Sequence, residues 1–275
     1  TQTKTQASDT LDRIRGWFAD QGWSAHGFQE EAWSLHAQGR SGLILVPTGS
    51  GKTYAAYMGP LAELADSMPG ASPRRGLSIL YVSPLRALSR DIELALRAPV
   101  DALDLPLTVE SRTGDTSSSV RSRQRRALPN ILVTTPESLC LLLTTADAEK
   151  RFSDLRAVIV DEWHELLSSK RGSQVELALA RLRRFAPGVR TWGLSATIAN
   201  AEQAANALVG DRGDPAIVRA PIDRPVIVRS LKPRDIRRFP WAGHMGLAML
   251  DEVLESLDPD VPTLVFTNTR SQAEK

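Results

Sequence analysis

The sequence predicts an α/β protein in which a central parallel sheet carries helices on both faces. Short apolar runs alternate with amphipathic stretches, a glycine-rich turn follows the first apolar run, and small polar residues follow several runs. Such alternation is typical of parallel sheets, whose ligands bind at the carboxyl ends of the strands. Strands are expected at Leu43–Val46, Leu77–Val82, Leu107–Glu110, Ile131–Val133, Leu155–Val160 and Val189–Leu194, and helices at Tyr54–Ser67, Ser117–Leu128, Pro136–Thr144, Ser173–Phe185 and Ala201–Leu208.

The composition is that of an ordinary globular protein and excludes several classes. The 275 residues are 42% hydrophobic and 24% charged, and the net charge is only +2, so any nucleic-acid surface must be local. Cys140 is the single cysteine, which excludes an intrachain disulfide, and the four histidines lack zinc-site spacing. No apolar run reaches the roughly 18 residues of a membrane span, and the polar start does not resemble a signal peptide. We therefore expect a cytoplasmic protein without a membrane partner.

Two helical stretches are expected before the first strand. Leu11, Ile14 and Phe18 share one helical face, and a second stretch opens at Gln29. The Gln29 amide can donate and accept hydrogen bonds together, which suits the two-sided edge of adenine. A glutamine by itself is more often an ordinary surface residue, but this one lies just ahead of a phosphate-binding turn, which favours the adenine contact.

The turn after the first strand is predicted to bind nucleotide phosphates. Gly49 and Gly51 let the backbone aim successive N–H groups inward, and the helix that begins near Lys52 adds the positive end of its dipole. Lys52 can reach the β and γ phosphates, and the Thr53 hydroxyl can ligate Mg²⁺. Val46 stands where the strict pattern has glycine, but the Thr-Gly-Ser-Gly-Lys-Thr core is whole. The predicted ATP contacts are Gln29, Thr48, Gly49, Ser50, Gly51, Lys52 and Thr53.

Two carboxylates follow the apolar run that ends at Val160. A carboxylate directly after a buried strand is costly unless a cation or hydrogen bonds satisfy it, so Asp161 is the predicted partner of Thr53 at the Mg²⁺ ion. Glu162 can accept a proton from the attacking water as the general base. An acidic helix start is the alternative interpretation of the pair, but the phosphate loop in the same sheet favours catalysis.

Other strand ends are also polar and small. Hydroxyls, helix-start amides and single arginines are the groups that commonly contact phosphates of a nucleic-acid strand. Any one of these segments could instead be a helix cap. The predicted nucleic-acid contacts are Ser83, Pro84, Arg86, Arg112, Thr113, Gly114, Thr135, Pro136 and Glu137, and the residues expected to couple nucleotide state to strand binding are His164, Ser195 and Thr197.

A basic segment and two tryptophans leave alternatives open. Arginines 121, 123, 125 and 126 form either a solvated helix face or a contact with backbone phosphates. The segment contains no aromatic residue, so base stacking is not supported there. Trp163 and Trp192 are expected in the core.

In this order the motifs resemble those of the first RecA-like domain of a superfamily 2 DExH-box helicase. Phe28-Gln29 is similar to the Q motif, Pro47 to Thr53 to motif I, Asp161 to His164 to motif II, and Ser195 to Thr197 to motif III. The stretch from Asp161 to Leu167, running on through Lys170-Arg171-Gly172 to Glu176-Leu177-Ala178, resembles the large helicase-related (Lhr) proteins. The tryptophan within it, Trp163, points to their DNA-ligase-associated branch. The resemblance implies a RecA-like P-loop NTPase that uses ATP and Mg²⁺ to move 3′ to 5′ on single-stranded DNA, more than RNA, in DNA repair, with partners such as a DNA ligase or nuclease.

The same resemblance predicts the domain organisation. Residues 1–222 are expected to form the first RecA-like domain, 223–240 a linker rich in proline and arginine, and 241–275 the truncated start of a second RecA-like domain. A helix at His244–Leu257 and a strand at Thr263–Thr267 are expected there. The resemblance puts the arginine that stabilises the transition state in motif VI, which the sequence lacks. We therefore expect a fragment, monomeric, that binds Mg–ATP with little or no turnover.

Three classes of function fit the residues. The first is a nucleic-acid-stimulated ATPase motor acting on DNA or RNA, the second an ATP-gated clamp that holds a strand without moving, and the third a small-molecule kinase. A kinase would not need the polar strand ends, so strand-stimulated ATP turnover separates the first class from the third. Displacement of an annealed strand separates the first from the second.

Overall fold

The computed structural model describes residues 2–68, 76–210, 213–220, 227–232, 249–267 and 269–274. The chain divides into two compact units, Thr1–Ile222 and Asp223–Lys275. Residues 69–75, where Pro69, Gly70 and Pro73 predict a linker between the helix at Tyr54–Ser67 and the next strand, lie outside the described residues. Most of the expected interdomain linker and the start of the expected helix at 244–257 also lie outside them.

The first unit is built on a seven-stranded sheet in which every paired strand is parallel. The predicted α/β class with a parallel central sheet is confirmed. The order across the sheet is β3-β4-β2-β5-β6-β1-β7. The strands are β1 Gly42–Leu45, β2 Ile79–Val82, β3 Val109–Arg112, β4 Ile131–Thr134, β5 Ala157–Val160, β6 Arg190–Ser195 and β7 Ala216–Arg219.

Helices connect the strands and cover both faces of the sheet. The described helices are α1 Gln2–Asp20, α2 Gly27–Ala37, α3 Lys52–Asp66, α4 Ser89–Ala102, α5 Ser118–Arg126, α6 Pro136–Leu143, α7 Ala148–Phe152, α8 Trp163–Leu167, α9 Lys170–Phe185, α10 Ala201–Val209, α11 Leu250–Ser256 and α12 Arg270–Ala273. A 3₁₀ turn at Arg86–Leu88 precedes α4. None of the described helices is both long and apolar enough to cross a bilayer.

Two hydrophobic cores lie on opposite faces of the sheet because successive strand residues point to opposite sides. On β2, Ile79 and Tyr81 join a core with α1 to α4, whereas Leu80 and Val82 join a core with α6, α9 and α10. Trp192 belongs to the first core and Trp163 to the second, and both are buried. The expectation that these tryptophans pack in the core is confirmed.

The structure adds elements that the sequence analysis did not predict, namely β7, α4, α7, α8 and α12. It also moves the third strand by two residues, so that Arg112 is its last residue rather than part of the loop after it. The strand expected at Thr263–Thr267 is wrong, since those residues are irregular. A strand is stabilised by a paired neighbour, and no described residue pairs with this segment.

The edge strand β3 is covered by side chains of the two neighbouring helices. The Val109 carbonyl accepts a hydrogen bond from Arg97 Nη2 at 2.6 Å, and the Ser111 carbonyl accepts one from Gln124 Nε2 at 3.2 Å. An edge whose carbonyls are already bonded is a poor template for another strand. The chemistry of this edge therefore lies at the carboxyl end of β3, not along its side.

Candidate nucleotide and nucleic-acid site

The phosphate loop has the backbone that the sequence predicts. Gly49 and Gly51 have φ angles of 77° and 87°, in the left-handed region that favours glycine, and α3 begins directly afterwards at Lys52. The Ser50 hydroxyl donates to the Pro47 carbonyl at 2.5 Å, which fixes the turn. Thr48 is exposed. Backbone geometry and this hydrogen bond therefore shape the loop, with the N-terminus of a 15-residue helix behind it.

Gln29 lies against the phosphate loop. Its Oε1 accepts a hydrogen bond from the His26 backbone N–H at 2.8 Å, and its Nε2 donates to the Gly51 carbonyl at 3.1 Å. A Cβ at Gly51 would lie 2.8 Å from this Nε2, so only glycine allows the contact. Gln29 is 2% exposed. In the structure, its amide links α2 to the loop, and the adenine contact stays a prediction.

Lys52 and Glu162 face each other across the site. Lys52 Nζ lies 3.4 Å from Glu162 Oε1, and Lys52 is only 7% exposed. A buried ammonium needs a partner, and Glu162 supplies the charge that a phosphate could replace. Glu162 also has a φ of 45°, which is rare for a residue with a Cβ and is found more often at active sites.

Asp161 is connected to Thr53 through Tyr81. The Tyr81 hydroxyl donates to Asp161 Oδ2 at 2.9 Å and is also hydrogen-bonded to the Thr53 side chain. Burial raises the pKa of Asp161 above its usual value, and the hydrogen bond from Tyr81 opposes this. Asp161 Oδ1 accepts the backbone N–H of Glu162 at 2.9 Å. The carboxylate is thus fixed in position at the end of β5.

The residues at this corner fit Mg²⁺. One phenol oxygen reaches both Thr53 and Asp161, so the hydroxyl and the carboxylate lie close enough to face one cation, and both are hard oxygen donors. In the described part of the chain, no group of three or more His, Cys, Asp or Glu side chains is placed to hold a metal ion by itself. Mg²⁺ commonly binds through one or two protein oxygens plus phosphates and water. Thr53 and Asp161 would hold the ion at the phosphate loop.

Of the three residues predicted to couple the two ligands, the structure brings two together. Ser195 Oγ lies 3.0 Å from His164 Nδ1, and the same Nδ1 lies 3.5 Å from Glu162 Oε2. This chain of contacts joins the end of β6 to the predicted base. Thr197 is exposed and does not take part in it.

The predicted nucleic-acid contacts line the other half of the same sheet edge. They follow β2, β4 and β3, which are neighbours in the sheet, and Ser83 N donates to the Thr134 carbonyl at 2.9 Å. A groove of about 540 Å³ lies beside them and is lined by Arg86, Thr113 and Asp115 among others. Arg86 Nε pairs with Asp115 at 3.0 Å. A Cβ at Gly114 would lie 3.2 Å from Arg86 Nη1, so the glycine leaves room for the guanidinium.

Two hydroxyls of this edge also cap local structure. Thr135 Oγ1 accepts the Ser138 N–H at 3.4 Å, with Pro136 as the first residue of α6, and Thr113 Oγ1 accepts the Asp115 N–H at 3.2 Å. The capping alternative therefore describes what these side chains do in this structure. A role as phosphate donor stays a prediction. Thr113 Oγ1 accepts one bond and can still donate another, whereas Thr135 Oγ1 already donates to Ser138 Oγ at 3.3 Å and would have to exchange that bond.

Glu137 has a pairing role that the sequence analysis missed. Arg171 Nε donates to Glu137 Oε1 at 2.6 Å, and Arg171 Nη2 donates to the Pro84 carbonyl at 2.8 Å. Partial burial raises the pKa of Glu137, but the hydrogen bond from Arg171, hydrogen bonds to the Glu137 backbone and Thr135, and the charge of Arg171 together outweigh it and hold that pKa below its usual range. Glu137 thus places a guanidinium beside the loop that follows β2, and Arg171 is the group of this pair that suits a phosphate.

Sequence reasoning also missed Tyr81 and Arg151. Tyr81 lies in an apolar strand. The one indication of its role in the sequence is its hydroxyl, which needs a hydrogen-bond partner when the residue is buried among aliphatic neighbours. Arg151 is on α7, and nothing in the local pattern linked it to β3. Tyr81 reaches Asp161 across the fold, and Arg151 bonds the Arg125 carbonyl on α5 as well as Asp147 four residues away.

Comparison with known proteins places these features in a family. The family model described as DEAD/DEAH box helicase matches residues 26–205. The chain is 40% identical over 222 residues to "Lhr helicase/ probable uracil glycosylase" of Mycolicibacterium smegmatis, covering 75% of this chain and 14% of that protein. It is 36% identical over 256 residues to "ATP-dependent helicase Lhr-Core" of Sulfolobus acidocaldarius, covering 90% of this chain and 29% of that protein.

Solved structures give the same result. The Mycobacterium smegmatis helicase Lhr bound to ssDNA and AMP-PNP is similar with a TM-score of 0.66 and 35% identity, over 75% of this chain and 27% of that one. The DUF1998 helicase MrfA is similar with a TM-score of 0.75 and 25% identity, over 96% of this chain and 39% of that one. The chain therefore spans less than a third of the length of the two curated Lhr relatives.

Proposed function

Because the chain belongs to the DEAD/DEAH box helicase family, we propose that it is the ATP-binding motor domain of an Lhr-type helicase that hydrolyses ATP when a single nucleic-acid strand is bound. Its fold is RecA-like, and the sequence-based assignment to superfamily 2 helicases, of the Lhr type, is confirmed. The observation that carries the proposal is the placement of two sites on one sheet edge. A phosphate loop with Lys52, Asp161 and Glu162 lies at β1 and β5, and a polar, arginine-containing row follows β2, β4 and β3.

The nucleotide corner consists of the phosphate loop Gly49–Thr53 together with Tyr81, Asp161 and Glu162, and each of these has a separate role. The Gly49–Thr53 backbone and Lys52 bind the phosphates, and Lys52 leaves Glu162 Oε1 as the phosphate takes its place. Mg²⁺, when bound, neutralises charge on the β and γ phosphates. Tyr81 keeps Asp161 oriented, and Glu162, released from Lys52, accepts the proton of the attacking water.

The route between the two sites is proposed to run through His164. Its Nδ1 is within 3.5 Å of Glu162 Oε2 and 3.0 Å of Ser195 Oγ, so a change in the position of Glu162 alters what Ser195 can bond. Ser195 ends β6, which neighbours β5 in the sheet. Movement at the phosphate is therefore transmitted by hydrogen bonds to the segment that follows β6, with Thr197 at its exposed end.

The finer parts of the function are proposals as well. Single-stranded DNA is preferred to RNA as the strand, movement is 3′ to 5′, and the role is in DNA repair with a DNA ligase or nuclease as partner. The bound ssDNA of the Mycobacterium smegmatis Lhr structure supports DNA. Several further points stay predictions. They are the DNA-ligase-associated branch, a linker at residues 223–240, the start of a second RecA-like domain at residues 241–275, a monomeric state and a cytoplasmic location.

The test measures ATP turnover of the natural full-length protein with single-stranded DNA, single-stranded RNA and duplex DNA. We expect stimulation by single strands, strongest with DNA, and displacement of an annealed strand only with hydrolysable ATP. On this chain alone, calorimetry with a non-hydrolysable ATP analogue should show Mg²⁺-dependent binding. If no nucleic acid changes the rate of ATP turnover, the motor assignment is wrong and a small-molecule kinase is favoured. If single strands stimulate turnover but no annealed strand is displaced, the ATP-gated clamp is favoured.

A further inference from the structure

Four arginines from three elements meet at the carboxyl end of the edge strand β3. Arg112 ends β3, Arg121 and Arg125 are one turn apart on α5, and Arg151 lies on α7. Arg121 Nη2 donates to the Thr113 carbonyl at 3.1 Å and also to the Gly114 carbonyl. Arg151 Nη2 donates to the Arg125 carbonyl. We call these four residues the arginine cluster.

Arg112 is the unsatisfied member of the arginine cluster. Its Nη1 is buried and has no hydrogen-bond partner among the described residues. Burial lowers the pKa of Arg112, and repulsion by Arg121, Arg125 and Arg151 lowers it further. A buried guanidinium nitrogen without an acceptor is costly, and like charges beside it add to the cost.

Carboxylates do not balance this charge. Within the described ranges, the one ion pair of the arginine cluster joins Arg151 Nε to Asp147 Oδ2 at 2.6 Å. Arg123 on the same helix is different, because it pairs with Glu110 at 2.8 Å. Four guanidiniums with one carboxylate make a site that an anion would stabilise, and guanidinium forks match phosphate oxygens well.

The position of the arginine cluster identifies the anion. It adjoins Thr113 and Gly114 at the outermost strand of the row proposed to bind nucleic acid. We propose that the arginine cluster binds an internal backbone phosphate of the strand as it leaves the row at β3, so that Arg112, Arg121, Arg125 and Arg151 end the binding track. The inference rests on the proposed function. The sequence already suggested Arg112 and left Arg121 and Arg125 open, and the structure adds Arg151 and joins the four in one site.

The test measures the salt dependence of binding to fluorescently labelled single-stranded DNA. In the chain with Arg121→Ala and Arg125→Ala together, the slope of log affinity against log salt concentration should fall by about 0.7, the value for one phosphate contact on a single strand. Affinity at low salt should fall about tenfold, as expected when a charge-assisted bond is lost. Binding of the ATP analogue should not change.

Two further variants separate the site from general charge. Arg126→Ala removes the same charge from an exposed position of α5 and should leave the slope near the wild-type value. Arg112→Lys keeps the positive charge but removes the forked N–H donors of the guanidinium. It should lower the affinity for single-stranded DNA by part of the amount seen in the double variant, while thermal unfolding remains cooperative. The loss should be equal for strands with and without a terminal phosphate.

The outcomes distinguish this inference from the proposed function. If the wild-type chain does not bind single strands at all, the proposed function fails first. If the wild type binds, and the double variant has the slope of Arg126→Ala, the arginine cluster does not bind the strand. A loss confined to strands that carry a terminal phosphate would also overturn the inference, since the site would then recognise a strand end.

Discussion

The proposed nucleotide corner and the proposed strand-binding edge lie side by side at the carboxyl ends of the sheet strands, but their charges are arranged in opposite ways. At the corner, around β1, β5 and β6, each charged group already has a partner inside the chain, as with Lys52 and Glu162 or Tyr81 and Asp161. At the strand-binding edge, after β2, β4 and β3, guanidiniums outnumber carboxylates, and Arg112 has a buried nitrogen without a partner in the described structure.

The difference follows from the ligands proposed for the two halves. A triphosphate with Mg²⁺ has a fixed shape, so the side chains that bind it can be positioned in advance. Each can then exchange a bond within the protein, such as Lys52 to Glu162, for a bond to the ligand. A nucleic-acid strand slides, and its phosphates repeat, so half-exposed cations that hold any phosphate are more useful than a rigid cage. The corner is therefore preorganised, whereas the edge carries excess positive charge. If the two halves are separable, a substitution in one should leave ligand binding at the other unchanged.

Lys52→Ala should have the largest effect. It removes the phosphate ligand and leaves the Glu162 carboxylate without its cation, so hydrolysis by the natural full-length protein should fall by about 10²- to 10³-fold. Affinity of this chain for single-stranded DNA without nucleotide should stay the same. The matched control is Lys150→Ala, on the exposed side of α7. Unchanged hydrolysis would remove Lys52 from the site, and a parallel loss of strand affinity would show that the halves are one.

Glu162→Gln should separate binding from chemistry within the corner. The amide keeps the size of the side chain but cannot accept the proton of the attacking water, so hydrolysis should fall by about 10²-fold. Calorimetry with a non-hydrolysable ATP analogue should give wild-type affinity. A collapse of that affinity would mean that Glu162 shapes the loop instead of acting as the base.

Tyr81→Phe tests the link between the two predicted Mg²⁺ ligands. Without the hydroxyl, Asp161 Oδ2 loses its 2.9 Å hydrogen bond, and the Mg²⁺ concentration needed for half-maximal analogue binding should rise about tenfold. Tyr57→Phe is a matched control, because Tyr57 is equally buried and its hydroxyl donates to the Leu96 carbonyl at 3.0 Å, away from the site. Equal Mg²⁺ requirements in the two variants would limit Tyr81 to a role in stability.

Glu63→Gln should have the smallest effect on either ligand, because Glu63 lies at the opposite edge of the sheet. Burial raises the pKa of Glu63, but the hydrogen bond to His36 and the charge of Arg190 outweigh it and lower that pKa to about 2. The carboxylate therefore stabilises the fold fully above about pH 4.5, and the gain is lost as the pH falls toward 2. Burial lowers the pKa of His36, which accepts a hydrogen bond from Trp192 at 3.1 Å.

Urea unfolding provides the measurement for this variant. At pH 7 the free energy of unfolding should fall by about 1–2 kcal/mol, a value reduced for solvent screening at this partly exposed carboxylate. The difference from wild type should shrink below about pH 4.5. Equal affinities for the ATP analogue and for single-stranded DNA should accompany the loss. A difference that stays constant down to pH 3 would contradict the assigned charge interaction.

Local sequence predicted the groups whose chemistry is local. Gly49 and Gly51 need positive φ, Lys52 follows at a helix start, and Asp161 comes directly after a buried strand, so each is recognisable within a few residues. The motif order was also enough for the family and the fold class. The exact ends of strands were less predictable. Arg112 lies inside β3 because its pairing with Thr134 of β4 extends the strand, and composition does not show this pairing.

The glycine-rich loop, the acidic pair and the parallel sheet could be predicted from sequence, because periodicity and turn chemistry act over neighbouring residues. Which distant groups meet could not. The tertiary fold decided the sheet order, the bond from Gln29 to Gly51, the place of Tyr81 between Thr53 and Asp161, and the approach of Arg151 to Arg112. These contacts join residues separated by between 22 and 80 positions where hydrogen-bonded, and such contacts depend on how helices and strands pack, which no local pattern specifies.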